Sequence, residues 1–518
     1  MTGRRLAIIS VSDKQNIVEF ASRLITLGYE IISTGGTARL LSDRGVRVTP
    51  ISDLTGFPEI MEGRIKTLHP KLLGGILALR EKDSHRQAMK AHDISPVDLV
   101  VVNLYPFGET IKKPDVHFQD ALENIDIGGP TMLRAAAKNF EHVTVVTDPE
   151  DYAVILEQLE THGEVDGETR FRLAKKVFRT MAGYDGMIAS FLEKEDTPAE
   201  AVPSLPGTLT FQLEKILPLR YGENPHQHAG FYREASFTGT GIPEARKLQG
   251  KELSFNNIID FEAAWAASHA LEKTASVIIK HTNPCGVALG ASPAEAFNRA
   301  RETDPVSAFG SVIGFNREVD AEAAEAVASM FVEGIIAPSY SPGALQILAK
   351  KKKVRILALG PPEYARSGYD MKKVIGGFLV QERDLADLDP DRLEVKTRRT
   401  PTGDEMEALR FAWKVVKMIK SNAIVFTSAG QTIGIGAGQM SRVDSAKIAI
   451  MKAGLPLKGS AVASDAFFPF RDGVDVAAEA GATAIIQPGG SIRDKEVIEA
   501  ADAHDMAMVF TGIRHFRH

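Results

Sequence analysis

The residues with the clearest catalytic potential are an adjacent lysine and histidine, Lys280 and His281, directly after the apolar segment Val277–Ile279. A protonated lysine lowers the pKa of a neighbouring imidazole, which favours a neutral base at pH 7. A purely structural turn remains an alternative for an isolated dipeptide. The single cysteine nearby, Cys285, is a potential nucleophile, but the sequence offers no activating partner, so a packed thiol is the simpler interpretation.

Two further segments suit an anionic ligand. The turn Thr34–Thr37 contains two glycines and stands between a predicted strand and a predicted helix, where free N–H groups favour phosphate. It lacks the spacing of dinucleotide and triphosphate loops, and ordinary turn chemistry remains an alternative. The segment Glu62–Pro70 places Arg64 two residues from Lys66, a pair suited to a phosphate or a polarised carbonyl, although a surface loop would have the same composition.

More polar groups follow the apolar segment 98–102, a predicted strand. Asn103 and Tyr105 come just after it, and open α/β sheets bind ligands outside the carboxyl ends of their strands. Asp126 begins a glycine-containing turn that leads into a predicted helix carrying Lys138. Three polar clusters near strand ends together predict an anion site.

The elements that position these residues alternate between strand and helix over residues 1–195. Leu6–Ile9 and Tyr29–Ser33 are predicted strands. Ile17–Leu24 is a predicted amphipathic helix, preceded by a capping-box spacing at Ser12 and Gln15. Such alternation favours a parallel sheet that is covered on both faces.

The second half of the chain follows a predicted linker at 195–207, rich in Lys, Glu, Asp, Pro and Ala. Within this half, Val277–Asn283 resembles Met418–Asn422, and each precedes an apolar segment. This weak internal similarity predicts two related subdomains. The total length of 518 residues agrees with about three compact units.

The overall composition excludes several classes of protein. With 61 Lys and Arg against 67 Asp and Glu, the net charge of −6 argues against broad binding to nucleic acid but leaves small anions open. A single cysteine excludes an intramolecular disulfide framework and an all-cysteine zinc site, and it fits a reducing compartment. No apolar segment approaches the length of a membrane span or a signal peptide, so we expect a soluble cytoplasmic protein with no membrane partner.

Four longer motifs identify a family resemblance. They are Gly63–Pro70, Asn103–Phe107, Lys280–Pro284 and Ser464–Asp472. In this order they resemble the bifunctional purine-biosynthesis proteins that join IMP cyclohydrolase to the formyltransferase of AICAR (phosphoribosylaminoimidazolecarboxamide), and the resemblance covers nearly the whole chain. It implies a methylglyoxal-synthase-like parallel-sheet domain at 1–196 and two cytidine-deaminase-like α/β subdomains at 197–373 and 374–518.

The resemblance also implies a nucleotide site in the first domain. Lys138 matches the proton-handling lysine of the family, and we expect Lys66 to help with the oxyanion and the protons while Tyr105 and Asp126 orient the carboxamide. The remaining implied contacts are Ser12, Asp13, Lys14, Thr34, Gly35, Gly36, Thr37, Arg64, Ile65, Thr67, Val102, Asn103 and Ile127.

For the formyltransferase, the resemblance implies His281 as the base, Lys280 as its acid or electrostatic partner, and Asn422 as the residue that holds a substrate oxygen. Glu333 stands where some relatives carry aspartate, so its longer side chain alters that contact. The other implied contacts to nucleotide or folate are Arg220, Tyr221, His226, Gly310, Arg442, Phe467, Asp472, Ser491, Ile492 and Arg514.

The expected reactions are the last two steps of IMP synthesis, with 10-formyltetrahydrofolate as co-substrate and neither a metal nor a prosthetic group. The resemblance further implies a homodimer. Two alternatives are a zinc nucleoside deaminase, disfavoured because Cys285 is alone and no H-x-E motif precedes it, and a non-catalytic nucleotide-binding regulatory protein.

Overall fold

The computed structural model describes residues 5–113, 116–195, 205–235, 237, 239–360 and 368–518. The chain divides into two units, Met1–Gln212 and Leu213–His518, here called the N-terminal unit and the C-terminal unit. The predicted linker at 195–207 falls mostly outside the described residues. The predicted boundaries after residues 196 and 373 remain predictions.

A five-stranded parallel sheet forms the centre of the N-terminal unit. Its strands are β1 (Arg5–Val11), β2 (Tyr29–Ser33), β3 (Val48–Pro50), β4 (Leu99–Asn103) and β5 (Thr144–Val146), in the spatial order β3-β2-β1-β4-β5. Residues Leu6–Ile9 and Leu99–Val102 of the two central strands are buried, as a sheet covered on both faces requires. The predicted parallel sheet is confirmed.

Among the described residues of this unit, ten α-helices accompany the sheet. They are α1 (Ile17–Thr26), α2 (Gly35–Asp43), α3 (Ile51–Thr55), α4 (Pro70–Leu77), α5 (Asp83–Ala91), α6 (Phe107–Ile111), α7 (Phe118–Glu123), α8 (Gly128–Lys138), α9 (Tyr152–His162) and α10 (Gly167–Glu195). Helix α1 buries the apolar face that its sequence predicts, but the predicted capping box is wrong. Asn16 is the N-cap and makes no side-chain cap, and the Gln15 N–H donates to Asp13 Oδ1 at 2.9 Å.

The C-terminal unit is organised around one sheet of twelve strands. The strands of this unit are β6 (Leu213–Leu219), β7 (Ala229–Glu234), β8 (Arg246–Gln249), β9 (Ala275–Lys280), β10 (Asn283–Leu289), β11 (Val312–Phe315), β12 (Gly334–Ala337), β13 (Arg355–Ala358), β14 (Tyr369–Val374), β15 (Gly377–Glu382), β16 (Glu394–Val395), β17 (Ile424–Ser428), β18 (Gln431–Gly436), β19 (Ala461–Ser464), β20 (Ala484–Gln487) and β21 (Ala507–Phe510). The large sheet has the order β16-β21-β20-β19-β17-β18-β10-β9-β11-β12-β13-β8, and β6–β7 and β14–β15 form separate ribbons.

Helices cover this sheet on both sides of its apolar strands. They are α11 (Phe255–His269), α12 (Pro293–Thr303), α13 (Pro305–Ala308), α14 (Ala321–Ala328), α15 (Pro342–Leu348), α16 (Gly403–Val416), α17 (Arg442–Lys452), α18 (Asp472–Glu479) and α19 (Asp494–Ala503). A central apolar cluster includes Trp265 of α11 and Trp413 of α16, so the core is continuous across both halves of the unit. No helix among the described residues is both long and apolar enough to cross a membrane.

The strand order of the C-terminal unit repeats. The hairpin β9–β10 is followed by β11, antiparallel to β9, then by parallel β12 and β13, with β8 antiparallel at the edge. The hairpin β17–β18, then β19, β20, β21 and β16, follow the same plan. This repeat agrees with the predicted pair of subdomains.

The residue match that suggested the repeat is nevertheless wrong. Lys280–Asn283 forms the turn between β9 and β10, whereas Lys420–Asn422 precedes β17, and the topological counterpart of the first turn is Ala429–Gly430. Because β10 and β18 pair antiparallel through Ala288 and Gln431, these two turns lie at opposite edges of the sheet. One edge therefore combines the β9–β10 turn with the start of β17 and the carboxyl ends of β18 to β21.

Candidate active sites

In the N-terminal unit, the Asn103 side chain joins the carboxyl ends of β4 and β1. Its Oδ1 accepts the N–H of Asp13 at 2.9 Å and also that of Ser12, and its Nδ2 donates to the Asp13 carbonyl at 3.1 Å. The structure thus brings the predicted segments Ser12–Lys14 and Val102–Asn103 together. Val102 itself is buried, so its predicted contact with the nucleotide remains a prediction.

The predicted turn Thr34–Thr37 lies at the same edge, after β2. Ser10 Oγ and Thr34 Oγ1 are 2.8 Å apart, Thr37 Oγ1 donates to the Val11 carbonyl at 2.9 Å, and Lys14 Nζ donates to Thr37 Oγ1 at 2.8 Å. Both threonine side chains are buried by these contacts. Hydroxyl groups therefore fix the carboxyl ends of the neighbouring strands β1 and β2.

Gly35 and Gly36 are the first residues of α2, and the space in front of them is open. A Cβ atom added at either position would meet no atom within 4 Å. The first N–H groups of a helix have no partner within it, so they are available to an anion here. Lys14 adds a cation at this edge; burial lowers its pKa, and Asp13 opposes that effect.

Asp126 is held in a defined orientation at the start of α8. Its Oδ1 accepts the N–H of Gly129 at 2.8 Å, and its own N–H donates to Tyr184 Oη at 2.7 Å. Burial raises the pKa of Asp126, although the Gly129 N–H and the charge of Lys66 act in the opposite direction. A carboxyl group in this environment can orient an amide and exchange a proton.

The segment 64–67 approaches the start of α8 closely. A Cβ atom at Gly128 would lie 2.4 Å from Thr67 Oγ1, so glycine is required for this approach. Lys66 Nζ lies 4.0 Å from Glu59 Oε1, and Arg64 pairs with Glu123 at the surface. Lys66 also lines a cavity of about 250 Å³ with Thr55, Phe57, Ile60, Ile65, Leu68 and His69.

Two large side chains next to these groups face solvent. Tyr105 is 47% exposed and Ile127 is 59% exposed. They follow β4 and precede α8, so both flank Asp126. Their position suits contact with a planar ligand at this edge.

The structure places Lys138 at the opposite end of α8 from this group. Lys138 is the last residue of α8, whose first residue, Gly128, is beside Asp126 and Thr67. A helix of this length spans about 15 Å, and the next residue, Asn139, donates to the carbonyls of Ile76 and Ala78. Its predicted role in proton transfer therefore remains a prediction.

In the C-terminal unit, His281 lies on a tight turn between β9 and β10. Lys280 pairs with Asn283 across the hairpin, and the two residues between them, His281 and Thr282, have φ values of 51° and 63°. This is the left-handed region, which a β-branched threonine rarely adopts. The turn presents the exposed imidazole at the sheet edge.

Lys280 is fixed by two backbone carbonyls. Its Nζ donates to the carbonyl of Gly310 at 2.9 Å and to that of Phe309 at 3.1 Å. A lysine ammonium has three N–H donors, so one remains for a substrate. Gly310 itself has a φ of 69°, and its predicted contact with the nucleotide remains a prediction.

Asn422 is oriented by buried charge. Arg442 donates to Asn422 Oδ1 at 2.8 Å, and Asn422 Nδ2 donates to the Gln439 carbonyl at 2.9 Å. Arg442 is also paired with Asp465; these residues are 6% and 0% exposed. The second N–H of the Asn422 amide is the donor left for a substrate oxygen.

A hydrogen bond connects the turn at His281 to the second repeat at this edge. The N–H of Lys420 donates to Asn283 Oδ1 at 3.0 Å, which links the turn that carries His281 to the segment that carries Asn422. The segments that carry His281 and Asn422 therefore lie at one edge, although about 140 residues separate them in the sequence.

Comparisons with known proteins show to which family the chain belongs. Residues 136–452 match the family model described as AICARFT/IMPCHase bienzyme, which combines AICAR formyltransferase with IMP cyclohydrolase. The chain belongs to this bienzyme family. Residues 16–131 match an MGS-like domain, and this match lies within the N-terminal unit. A solved structure titled "Crystal structure of ForH" is 41% identical, covers 38% of this chain and 100% of its own, and has a TM-score of 0.36.

The bienzyme catalyses formyl transfer to AICAR and the cyclisation that gives IMP. In this chain, the Glu333 side chain is engaged by Arg355, whose Nη1 donates to Glu333 Oε2 at 2.7 Å. The Glu333 N–H donates to the Ser311 carbonyl at 2.9 Å, which places it beside Gly310. Arg355 thus binds the glutamate that stands where some members of the family carry aspartate.

The predicted nucleotide contacts of the loop after β6 are at the surface of the bienzyme. Arg220 and His226 are exposed, and the Arg220 guanidinium carbon lies 5.8 Å from the Tyr221 ring centroid. Asn256 at the start of α11 donates to the Glu223 carbonyl at 3.4 Å. The loop is therefore attached one helical turn before Asp260, which itself contacts the turn at His281.

The remaining predicted contacts follow β19, β20 and β21, whose carboxyl ends are adjacent. Phe467 and Asp472 follow β19, Ser491 and Ile492 follow β20, and Arg514 follows β21. The Arg493 guanidinium carbon lies 4.7 Å from the Phe470 ring centroid, which joins the first two loops. Residues 453–518 lie outside the bienzyme match, so these contacts remain predictions.

Several residues that organise the site were not predicted. Asp260, Asp465 and Asn283 accept the hydrogen bonds that fix His281 and Asn422. Asp465 and Asn283 belong to motifs that the sequence had singled out, whereas nothing in the sequence distinguished Asp260 from other helical aspartates. Among the described residues, no group of three or more His, Cys, Asp or Glu could hold a metal ion.

Proposed function

We propose that the two sheet edges are the two active sites of the bienzyme. The edge around His281 would transfer the formyl group, and the edge around Asn103 and Asp126 would close the ring. The observation that carries this proposal is the hydrogen bond from Lys420 to Asn283, since it unites His281 and Asn422 at one edge. The MGS-like match supports the assignment of cyclisation to the N-terminal unit.

In the formyl transfer, the amine of AICAR attacks the formyl carbon of 10-formyltetrahydrofolate. This amine is a poor nucleophile, so the reaction needs a base and strict positioning. His281 takes the amine proton as the new C–N bond forms. The bond from the formyl carbon to the folate nitrogen then breaks, and that nitrogen receives a proton while Lys280 stabilises the developing charge. The free N–H of Asn422 donates to the formyl or carboxamide oxygen.

In the cyclisation, the carboxamide nitrogen of formyl-AICAR attacks the formyl carbon of the same molecule, and water leaves. Because the reaction is intramolecular, proximity supplies much of the rate. Asp126 and Tyr105 orient the carboxamide, and Lys66 stabilises the oxyanion together with backbone N–H groups. Gly35, Gly36 and Lys14 suit the phosphate of the nucleotide.

We also propose a homodimer with a cytoplasmic location. Three apolar side chains beside Lys280 are exposed in the single chain, namely Val306 at 84%, Phe309 at 62% and Phe331 at 47%. A contiguous exposed apolar patch is typical of an interaction site. Light scattering should give twice the chain mass of 56.2 kDa; a particle of the single mass would contradict the dimer.

The direct test is to incubate the protein with AICAR and 10-formyltetrahydrofolate and to follow IMP by absorbance. Formation of IMP supports both activities, and accumulation of formyl-AICAR without IMP would restrict the proposal to the first. The regulatory-protein and zinc-deaminase alternatives predict no IMP, and the family match supports neither of them.

The role of Lys138 needs a separate comparison. The variants Lys66→Ala and Lys138→Ala should be assayed for cyclisation of supplied formyl-AICAR. A loss in both variants supports the role implied by the family, and a loss in Lys66→Ala alone would remove Lys138 from the site, in agreement with its place at the other end of α8.

A further inference from the structure

The turn that carries His281 cannot be explained by its own sequence. Both central residues, His281 and Thr282, occupy the left-handed region, with φ values of 51° and 63°. Two-residue hairpin turns of this kind favour asparagine, aspartate and glycine, and a β-branched residue disfavours them. Surrounding structure must therefore hold this turn.

Part of the support comes from within the hairpin. Thr282 Oγ1 donates to the His281 carbonyl at 2.7 Å, and Asn283 Nδ2 donates to the same carbonyl at 3.2 Å. These bonds fix the local shape of the turn. They do not attach it to the helical layer of the unit, because both partners belong to the hairpin itself.

The attachment to the helical layer comes from Asp260 on α11. Asp260 Oδ1 accepts the Thr282 N–H at 2.7 Å. The adjacent residue on this helix, Phe261, is fully buried and belongs to the central apolar cluster, so the backbone that carries Asp260 is firmly packed. The bond therefore runs from a rigid helix to the N–H immediately after His281.

The surroundings of Asp260 act on its carboxyl group in opposite directions. Burial raises its pKa, while the Thr282 N–H and the nearby charges of His281 and Lys280 act in the opposite direction. An amide in place of the carboxyl group would keep the acceptor oxygen and avoid the cost of burying a charge.

We propose that Asp260 is the positioning residue for His281: its acceptor oxygen holds the Thr282 N–H and thereby fixes the left-handed turn that aims the imidazole at the substrate. Asp260 does not contact the reacting atoms. This inference rests on the proposed role of His281 as the base of the formyl transfer.

The test compares Asp260→Ala, which removes the acceptor, with Asp260→Asn, which keeps it. The matched control is Asp320→Ala. Asp320 Oδ1 accepts the Ala323 N–H at 2.8 Å and caps α14, so this variant loses a similar bond away from the candidate site. Formyl transfer is measured as kcat and as KM for AICAR, and unfolding by urea is measured for each variant.

We expect Asp260→Ala to lower kcat about a hundredfold, the loss typical of a base displaced by about 1 Å, with KM for AICAR little changed. Asp260→Asn should keep kcat within about threefold of the parent protein, since its oxygen still accepts the bond. Asp320→Ala should lower stability and leave both kinetic constants unchanged.

Unchanged kcat in Asp260→Ala would overturn the inference, and so would an equal loss in Asp260→Asn. If Asp260→Ala does not fold, Asp260→Leu, which has a similar shape and no acceptor, takes its place in the comparison. Failure of the proposed role of His281 is distinguishable, because His281→Ala would then keep full formyl transfer.

Discussion

Asn103 and Asp13 exchange hydrogen bonds in both directions across the carboxyl edge of the N-terminal sheet. The Asp13 N–H donates to Asn103 Oδ1 at 2.9 Å, and Asn103 Nδ2 donates to the Asp13 carbonyl at 3.1 Å. An amide side chain is suited to this task because it offers one acceptor and one donor to the same peptide segment. The loop after β1 therefore has a fixed position relative to β4.

In the variant Asn103→Ala, the loop after β1 should lose its fixed position relative to β4. Binding of IMP must then order the loop again, so its affinity should fall by at most roughly 5- to 150-fold, equivalent to the contribution of such bonds, about 1–3 kcal/mol. Calorimetric titration with IMP measures the effect. Asn139→Ala is the matched control, because Asn139 also donates to two carbonyls but at the far end of α8; equal losses in both variants would contradict a specific role for Asn103.

A substitution in one proposed active site should leave the activity of the other site unchanged. His281→Ala should lower formyl transfer about 10²- to 10⁴-fold, the range expected for loss of a general base, and should leave cyclisation of supplied formyl-AICAR unchanged. Lys66→Ala should show the reverse pattern. Assays of both reactions on both variants provide the check, and full formyl-transfer turnover in His281→Ala would refute its assignment as the base.

Cys285 should be unreactive in the folded protein. Burial raises the pKa of its thiol to about 12, three units above the usual value of 9.0. The thiolate fraction at pH 8 is then roughly a thousandfold lower than in an ordinary cysteine, and the thiolate is the reactive form. Iodoacetamide labelling followed by mass spectrometry should modify the chain only after denaturation, and since the chain has one cysteine, any labelling of native protein would contradict this prediction.

The pair Arg399–Glu405 should make stability depend on pH. Burial raises the pKa of Glu405, but the Arg399 hydrogen bonds, at 2.9 Å each, outweigh it and hold the pKa at about 2. The carboxylate therefore stabilises the folded chain fully above about pH 4.5, and this contribution is lost as the pH falls towards 2.

Glu405→Gln should lower the free energy of unfolding at pH 7 by about 1–2 kcal/mol, because solvent partly screens the pair. The difference from the parent protein should shrink below pH 4.5, as urea titrations at several pH values can show. The control Glu407→Gln removes the exposed partner of Lys273 and should have little effect. A difference that grows towards low pH would contradict the sign.

Arg442→Ala should be more damaging to stability than a surface substitution. It leaves the fully buried carboxylate of Asp465 without its partner, which typically costs about 3–5 kcal/mol. The double variant Arg442→Ala/Asp465→Asn removes both charges and should recover part of this loss. Urea unfolding of the three proteins is the measurement, and a double variant less stable than Arg442→Ala would argue against a buried charge as the cause.

Local sequence patterns were sufficient to predict the strands and helices and to recognise the motifs. The alternation of apolar segments with amphipathic helices predicted the parallel sheet, because a strand buried on both faces must be apolar throughout. Long motifs such as Lys280–Pro284 indicated the family, which the match over residues 136–452 confirms. The capping box at Ser12 failed because the same polar residues can satisfy the backbone of a loop as well as that of a helix.

By itself, the sequence therefore determined the fold class, the family and most of the candidate residues. Only the tertiary structure decided which of them meet. Asn283 and Lys420 become neighbours because two hairpins pair antiparallel in one sheet, and Lys138 is separated from Asp126 by the length of a helix. Such pairings depend on contacts between distant segments, and spacing along the chain does not contain that information.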